Sequence, residues 1–255
     1  MEGGPLLQDW WVKMASEDFV PYLNISTRLR DTPDQGLLQR MGGRGFPYFV
    51  VLDPGGNRVV PGRAYPQFRP MNEKGTQVAL VGAQELIAAR KTAAEDPKNA
   101  GLLANVTLLE ALLLQGTPSA DRVEKAKSTE GVDRLLVQRV EIQAILRTYS
   151  DQVRGLPRGQ SDARQEAYDI AARKMLKLHR SGTPLNDVRL RVFSDYWRLV
   201  FDGALLEAEL EIAETALSVY RRVFSTSPEK RQRIDVMTQR LEEMKKTRDA
   251  GKSSE

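Results

Sequence analysis

The sequence predicts an α+β chain in two parts: a small mixed region over residues 1–95, then an all-α region of helical hairpins over residues 96–255. Three observations carry that prediction. Gly42 to Val60, GGRGFPYFVVLDPGGNRVV, reads as a strand, a tight turn and a returning strand. After Glu95 the apolar residues recur at the three-and-four spacing of amphipathic helices. Helix starts there are repeatedly signalled by a capping residue followed by proline, at Asp96-Pro97, Thr117-Pro118, Thr183-Pro184 and Ser227-Pro228.

In the first part, Trp11, Met14 or Ala15, Asp18 or Phe19, and Tyr22 recur at helical spacing within Leu6 to Leu23, and Pro21 predicts a kink or an end. Ile25 to Leu29 alternates apolar and polar and reads as a strand. Thr32-Pro33 opens a helix whose apolar side is Leu37, Leu38 and Met41, and Gly42-Gly43 stops it. Tyr48 to Leu52 is a buried strand, Asp53-Pro54-Gly55-Gly56-Asn57 a tight turn, and Arg58 to Val60 the returning strand. Val60 to Thr76 is an irregular loop rich in proline and aromatics. Gln77 to Ala94 is a helix with Val78, Val81 or Gly82, Glu85 or Leu86, and Ala89 or Ala93 on one side.

The second part reads as helix throughout. Leu102 to Leu114 is strongly apolar, and Leu135, Ile142, Leu146 and Tyr149 mark the next helix. Gly155 to Gln160 is a break. Ala167, Ile170, Ala171, Met175 and Leu178 follow, then Val188, Val192, Tyr196 and Leu199. Leu206, Leu210, Ala213, Leu217, Tyr220 and Phe224 form one amphipathic stripe, and Ile234, Met237, Leu241 and Met244 form another. Short links between such helices predict antiparallel hairpins, stacked as an array or folded as a bundle.

Composition narrows the function. Net charge is +4, with 38 basic and 34 acidic residues interspersed, which argues against a nucleic-acid partner. No apolar run approaches a membrane span, and no signal peptide is visible at Met1-Glu2-Gly3-Gly4-Pro5. There is no cysteine, hence no disulfide, thiolate nucleophile or cysteine-bound metal. The one histidine, His179, cannot form a multi-histidine metal site and reads as a polar residue near a helix C-terminus. Phosphate-loop, dinucleotide and nucleophile-elbow motifs are all missing. The acidic pairs Glu17-Asp18, Glu207/Glu211 and Glu242-Glu243 read as exposed helical charges. No catalytic residue, metal site or cofactor is predicted.

Gly45-Phe46-Pro47, the hydrophobic strand and Asp53-Pro54-Gly55-Gly56 together resemble the second half of a thioredoxin fold. The resemblance implies a cis Phe46–Pro47 bond beside the family's active site; the residues alone favour an ordinary trans proline opening a hairpin. Lys13-Met14 and Glu17-Asp18-Phe19 resemble the family's continuation after its Cys-x-x-Cys, which would place the two cysteines near Gln8 and Trp11. Neither is cysteine, and only Pro5-Leu6-Leu7 is left for the family's first strand. Thiol–disulfide exchange needs an attacking thiolate and a resolving thiol, so the chain as given cannot perform it. Either the domain has lost its redox pair and serves for binding, or the chain starts downstream of a true beginning that carried the cysteines. The second case would make it a thiol–disulfide oxidoreductase, and one that is exported in many relatives.

In thioredoxin-like proteins the residue before the proline offers its backbone to an extended peptide, a form of strand addition. Carried over, Phe46 and Pro47 would sit against Trp10 and Trp11 and make a peptide-docking patch. The alternative is that these aromatics plug the space left by the missing strand. Ala216, Tyr220 and Pro228 resemble late positions of a tetratricopeptide unit, although the break between that unit's helices would fall inside the Leu206–Phe224 stripe. The expected function is therefore protein or peptide binding, or a purely structural helical scaffold.

Overall fold

The computed structural model describes residues 7–22, 36–43, 48–60, 73–114, 118–157, 159–182, 184–188, 190 and 192–252. The expected strand at Ile25 to Leu29, the Thr32-Pro33 helix start, the Phe46–Pro47 bond and the loop at 61–72 lie outside these residues. The described chain is mostly helical, with one two-stranded antiparallel sheet. It divides into two compact units, Met1–Val137 and Gln138–Glu255. The composition change at Glu95, where the sequence sets its boundary, falls within the first unit because the helices on either side of it pack together.

In the first unit, helix α1 (Asp9–Glu17) ends well before Pro21, with Asp18 as its C-cap donating its N–H to the Met14 carbonyl. Helix α2 (Leu37–Arg40) stops as expected at Gly42, whose φ of +78° is left-handed. Gly42 N–H bonds the Gln39 carbonyl and Gly43 N–H the Leu38 carbonyl, the two reverse bonds of a Schellman cap. The hairpin also forms, but the first strand, β1, is only Val51–Leu52, and β2 is Arg58–Val60. Val51 pairs with Val60 and Leu52 with Arg58, with an irregularity between them. Tyr48 is not part of the ladder; its hydroxyl donates to the Met41 carbonyl at 2.7 Å, which Arg58 also reaches at 3.2 Å. The turn closes through Gly56 N–H to the Asp53 carbonyl, with Gly56 at a φ of +77°.

Two helices cover the hairpin. Helix α3 (Glu73–Glu95) starts four residues before the expected Gln77 and packs on both strands. Its buried face is Ala79, Leu80, Ala83, Leu86 and Ala93. Of the alternatives at its middle, Val81 points outward and Gly82 inward, since a Cβ on Gly82 would stand 2.9 Å from Leu113. Helix α4 (Ala100–Leu113) is capped by Asn99, not by Asp96-Pro97: the Asn99 side chain accepts the Leu102 N–H, and Asp96 only shapes the preceding turn. Arg90 of α3 joins Glu110 of α4 at 2.9 Å and Asp53 of the hairpin turn at 3.7 Å. Helix α5 (Ala120–Lys127) has a single buried residue, Ala126, too little for apolar periodicity to announce it.

In the second unit, α6 (Arg134–Gly155) continues past the boundary, and α7 (Ser161–Ser181), α8 (Phe193–Leu206), α9 (Leu210–Phe224) and α10 (Pro228–Lys252) follow. Helix α7 packs on α8, α8 on α9, and α9 on α10. Pro184 does not open a helix; α8 begins at Phe193 instead. Pro228 does open α10, with the Ser227 carbonyl accepting the Lys230 and Arg231 N–H groups. The stripe from Leu206 to Phe224 is broken at residues 207–209, so Leu206 ends α8 and Leu210 starts α9. A second Schellman cap makes that turn, through Ala208 N–H to the Leu205 carbonyl and Glu209 N–H to the Ala204 carbonyl. Here Ala208, not glycine, takes the left-handed position, at a φ of +56°.

Helix α8 is buried over most of its surface, including Phe193, Tyr196, Trp197, Val200 and Phe201. It approaches α7 closely at Gly203, where a Cβ would stand 2.4 Å from the Ala172 carbonyl oxygen. Gly203→Ala is expected to destabilise the protein by about 1–3 kcal/mol, because two backbones must part. Ala208→Gly is expected to stabilise it by roughly 1 kcal/mol through relief of the left-handed strain. Urea unfolding of both variants checks the opposite signs.

Candidate functional site

The sequence-derived patch is seen in part. Gln8 is the N-cap of α1, and its carbonyl accepts the Trp11 and Val12 N–H groups at 2.9 and 3.1 Å. Gln8 and Trp11, the positions matching the lost redox pair, thus lie on the first turn of a helix. The Trp10 and Trp11 rings meet edge-on with centroids 5.8 Å apart, and Phe19 folds back onto Trp11 at 5.3 Å. Both tryptophans are half-buried, whereas Leu7, Val12, Val20 and Tyr22 of the same segment are exposed. Phe46 and Pro47 lie outside the described residues, so only the tryptophan pair of the docking patch is placed.

The second unit holds a polar cluster that the periodicity did not reveal. Asp202 is a buried carboxylate on α8. It accepts the Tyr168 hydroxyl from α7 on one oxygen and Arg240 Nη1 from α10 on the other. The Arg198 guanidinium stands over the Tyr168 ring at 5.4 Å and reaches Asp195 at 3.3 Å. Tyr149 of α6 meets Tyr168 edge-on at 5.7 Å. Burial, and then the Asp202 charge, raises the Tyr168 hydroxyl far above its ordinary value, so it remains a donor and cannot serve as a base. The arrangement ties three helices through one satisfied carboxylate. Its sequence signal is the lone acid in Leu199-Val200-Phe201-Asp202-Gly203-Ala204-Leu205.

His179 lies in the last turn of α7, as its position predicts. It is half-buried beside Tyr196 and Trp197, and burial lowers its proton affinity. Of the acidic residues expected on exposed faces, Glu207 and Glu242 join ion pairs, with Glu209 and Glu214 beside them. Glu207 and Glu209 hold Arg180, raising its proton affinity, while Glu214 and Glu242 flank Lys245. Near the hairpin, Asp53 is pulled two ways. Burial works to raise its carboxyl, and hydrogen bonds from Asn57 and Gly55, together with Arg90, carry it below its ordinary value.

No family model, curated protein or solved structure matches the chain. The candidate site therefore stands on its own geometry. Among the described residues no three metal-ligating side chains gather, and no helix is long and apolar enough to cross a membrane. A shallow groove of about 230 Å³ runs between α9 and α10, but its charged walls are paired across it, Lys245 with Glu214 and Arg221 with Thr238.

If Asp202 is the tie between α7, α8 and α10, removing it costs more than removing one of its donors. Asp202→Ala is expected to destabilise by about 3 kcal/mol, the lower end for a broken buried pair because Arg240 stays partly open to water. Tyr168→Phe is expected to cost about 1–2 kcal/mol. Denaturant unfolding of both variants checks the order, which reverses if the carboxylate is incidental.

Proposed function

We propose that the chain is a protein-interaction scaffold: a thioredoxin-like N-terminal part without redox chemistry, carried on a helical-hairpin array. The observation that carries this reading is the packing of α7, α8, α9 and α10 each on the next, in chain order. Stacked hairpins whose elements contact mainly their chain neighbours build extended surfaces suited to binding other proteins. The turn at residues 207–209 supports the tetratricopeptide-like reading. It separates α8 from α9 just before the stretch holding Ala216 and Tyr220, which are both buried, and Pro228 opens the following helix.

The thioredoxin-like reading draws support from the hairpin of β1 and β2, the glycine stop before it and the aromatic start of α1. In that reading an extended segment of a partner lies against Trp10 and Trp11, with Phe46 and Pro47 completing the surface. Tryptophan suits such a role because it buries a large apolar area and keeps a polar N–H at its edge.

The test is partner retention by the immobilised full chain, compared between wild type and a Trp10→Ala/Trp11→Ala variant shown by circular dichroism to be folded. Loss of a specific partner's affinity by about tenfold or more is expected, the scale of an interface tryptophan. Unchanged affinity per folded molecule would mean that the two rings only fill space and that α1 is not the docking surface.

A further inference from the structure

The chain carries a net charge of +4, and one segment accounts for it. Arg221 to Arg233, which ends α9, turns and starts α10, holds five basic residues and one acid, Glu229. Setting these aside from the chain's 38 basic and 34 acidic residues leaves 33 of each. Arg221, Arg222 and Arg231 are exposed, and Lys230 and Arg233 are partly so.

Helix polarity explains only part of this excess. Cations are favoured at the end of a helix and disfavoured at its start. Helix α7 obeys, with Asp162 in its first turn and Arg180 in its last. So does α9, with Glu211 first and Arg221 and Arg222 last. Helix α10 does not: Lys230, Arg231 and Arg233 stand in its first two turns, with Glu229 as the one acid before them. The turn brings these cations back beside the end of α9. Arg231 Nε donates to the Ser225 carbonyl at 3.1 Å, and Lys230 Nζ stands 5.9 Å from the centre of the Phe224 ring.

Within the unit the five charges meet only neutral partners. Arg221 donates to the Thr238 hydroxyl, and Lys230 reaches the Ser194 hydroxyl at 3.5 Å. The Arg222 and Arg233 side chains have no hydrogen bond or ion pair to another described residue. No carboxylate among the described residues pairs with any of the five, whereas Arg180, Arg198, Arg240 and Lys245 of the same unit each have one. Like charges crowded in this way repel one another, and an external anion removes that cost.

We infer that the α9–α10 turn is a docking surface for an acidic peptide segment of a partner protein. Four of its five cations are arginines, whose planar fork takes a carboxylate on two donors at once. The turn is poorly equipped for other polyanions. Its one ring, Phe224, is packed against Phe193 and Tyr220 with Lys230 over it, which leaves no aromatic face to stack on nucleic-acid bases. It has no exposed large apolar side chain to enter a membrane. The inference extends the interaction reading to the helical unit, and it does not depend on Trp10 or Trp11.

The test is fluorescence anisotropy of a labelled peptide of alternating glutamate and serine, titrated with the full chain at low and at physiological salt. Binding is expected to weaken as salt rises. Arg222→Glu/Arg233→Glu alters two side chains that make no internal hydrogen bond or ion pair, and is expected to weaken binding by about tenfold or more. Lys174→Glu/Lys177→Glu changes the net charge equally at exposed positions of α7, and is expected to stay within about threefold of the wild type. No saturable binding by the wild type, or an equal loss in both double variants, overturns the inference. So does tighter binding of a single-stranded oligonucleotide or of phosphatidylserine vesicles that Arg222→Glu/Arg233→Glu abolishes, since the turn would then serve that polyanion. Amide NMR signals decide the matter in the wild type, whatever the stability of the variants. Those of Arg221 to Arg233 are expected to move as the peptide is added, and shifts confined to other segments overturn the inference.

Discussion

Helix α8 leaves little of its surface to water, and the second unit is arranged to meet that demand. Tyr196, Trp197, Leu199, Val200, Phe201 and Ala204 cover a broad arc of it, and all are buried. An apolar arc that wide is stable in water only when other elements enclose it. Helix α7 supplies one wall at close range, because Gly203 lets the two backbones approach at Ala172. Helix α9 supplies another through Leu210, Ala213, Leu217 and Tyr220, after a turn tight enough to put Ala208 in the left-handed region. Several polar groups of α8 find partners as well: Trp197 finds Leu185, Ser194 meets Tyr220, and Asp202 finds Tyr168 and Arg240. Each large apolar side chain contributes about 1.5–3 kcal/mol, and α8 buries more of them than any other helix of its unit.

The first unit solves a smaller problem. A two-stranded hairpin is marginal by itself in water. Val59 of β2 is fully buried, α3 packs on both strands, and α4 reaches β2. Arg90 fastens this layer electrostatically, between Asp53 of the turn and Glu110 of α4. The unit extends past Glu95 for the same reason. Asn105 on α4 accepts the Asp133 N–H, and Gly101 allows the Gly131 carbonyl to approach. The turn before α6 is thereby bound to α4. Asn105 spends its side-chain oxygen on this internal bond.

What the sequence made legible was periodicity and stop signals, and what it hid was depth. Gly42, Gly56 and Ser227-Pro228 act where their chemistry says they should, because each satisfies a local backbone requirement that tertiary context cannot change. The other proline signals fail where a neighbour competes for the cap: Asn99 takes the start of α4 from Asp96. Pro184 opens no helix, and the Leu185 carbonyl after it accepts the Trp197 indole N–H of α8 instead. The apolar stripe from Leu206 to Phe224 looks continuous since a four-residue step keeps helical phase across the turn at 207–209. Asp202 belongs to what was hidden: it interrupts the apolar run from Leu199 to Leu205, and its partners Tyr168 and Arg240 lie on helices far away in sequence.

The same distinction separates the two candidate sites. The Asp202 cluster has the perturbed tyrosine and buried charge that often mark a reactive centre. Its carboxylate, however, is consumed on both oxygens by protein donors, and its phenol is driven away from ionisation. Such a group fixes the alignment of helices and leaves no site for an incoming ligand. At α1 the balance is opposite. Trp10 and Trp11 are half-buried and in contact with each other, and Leu7, Val12, Val20 and Tyr22 of the same segment are left exposed. Apolar surface of that kind gains free energy when a partner covers it, whereas the satisfied cluster gains nothing. The interaction reading therefore assigns binding to the N-terminal aromatics and leaves the buried charges of the helical unit to hold its shape.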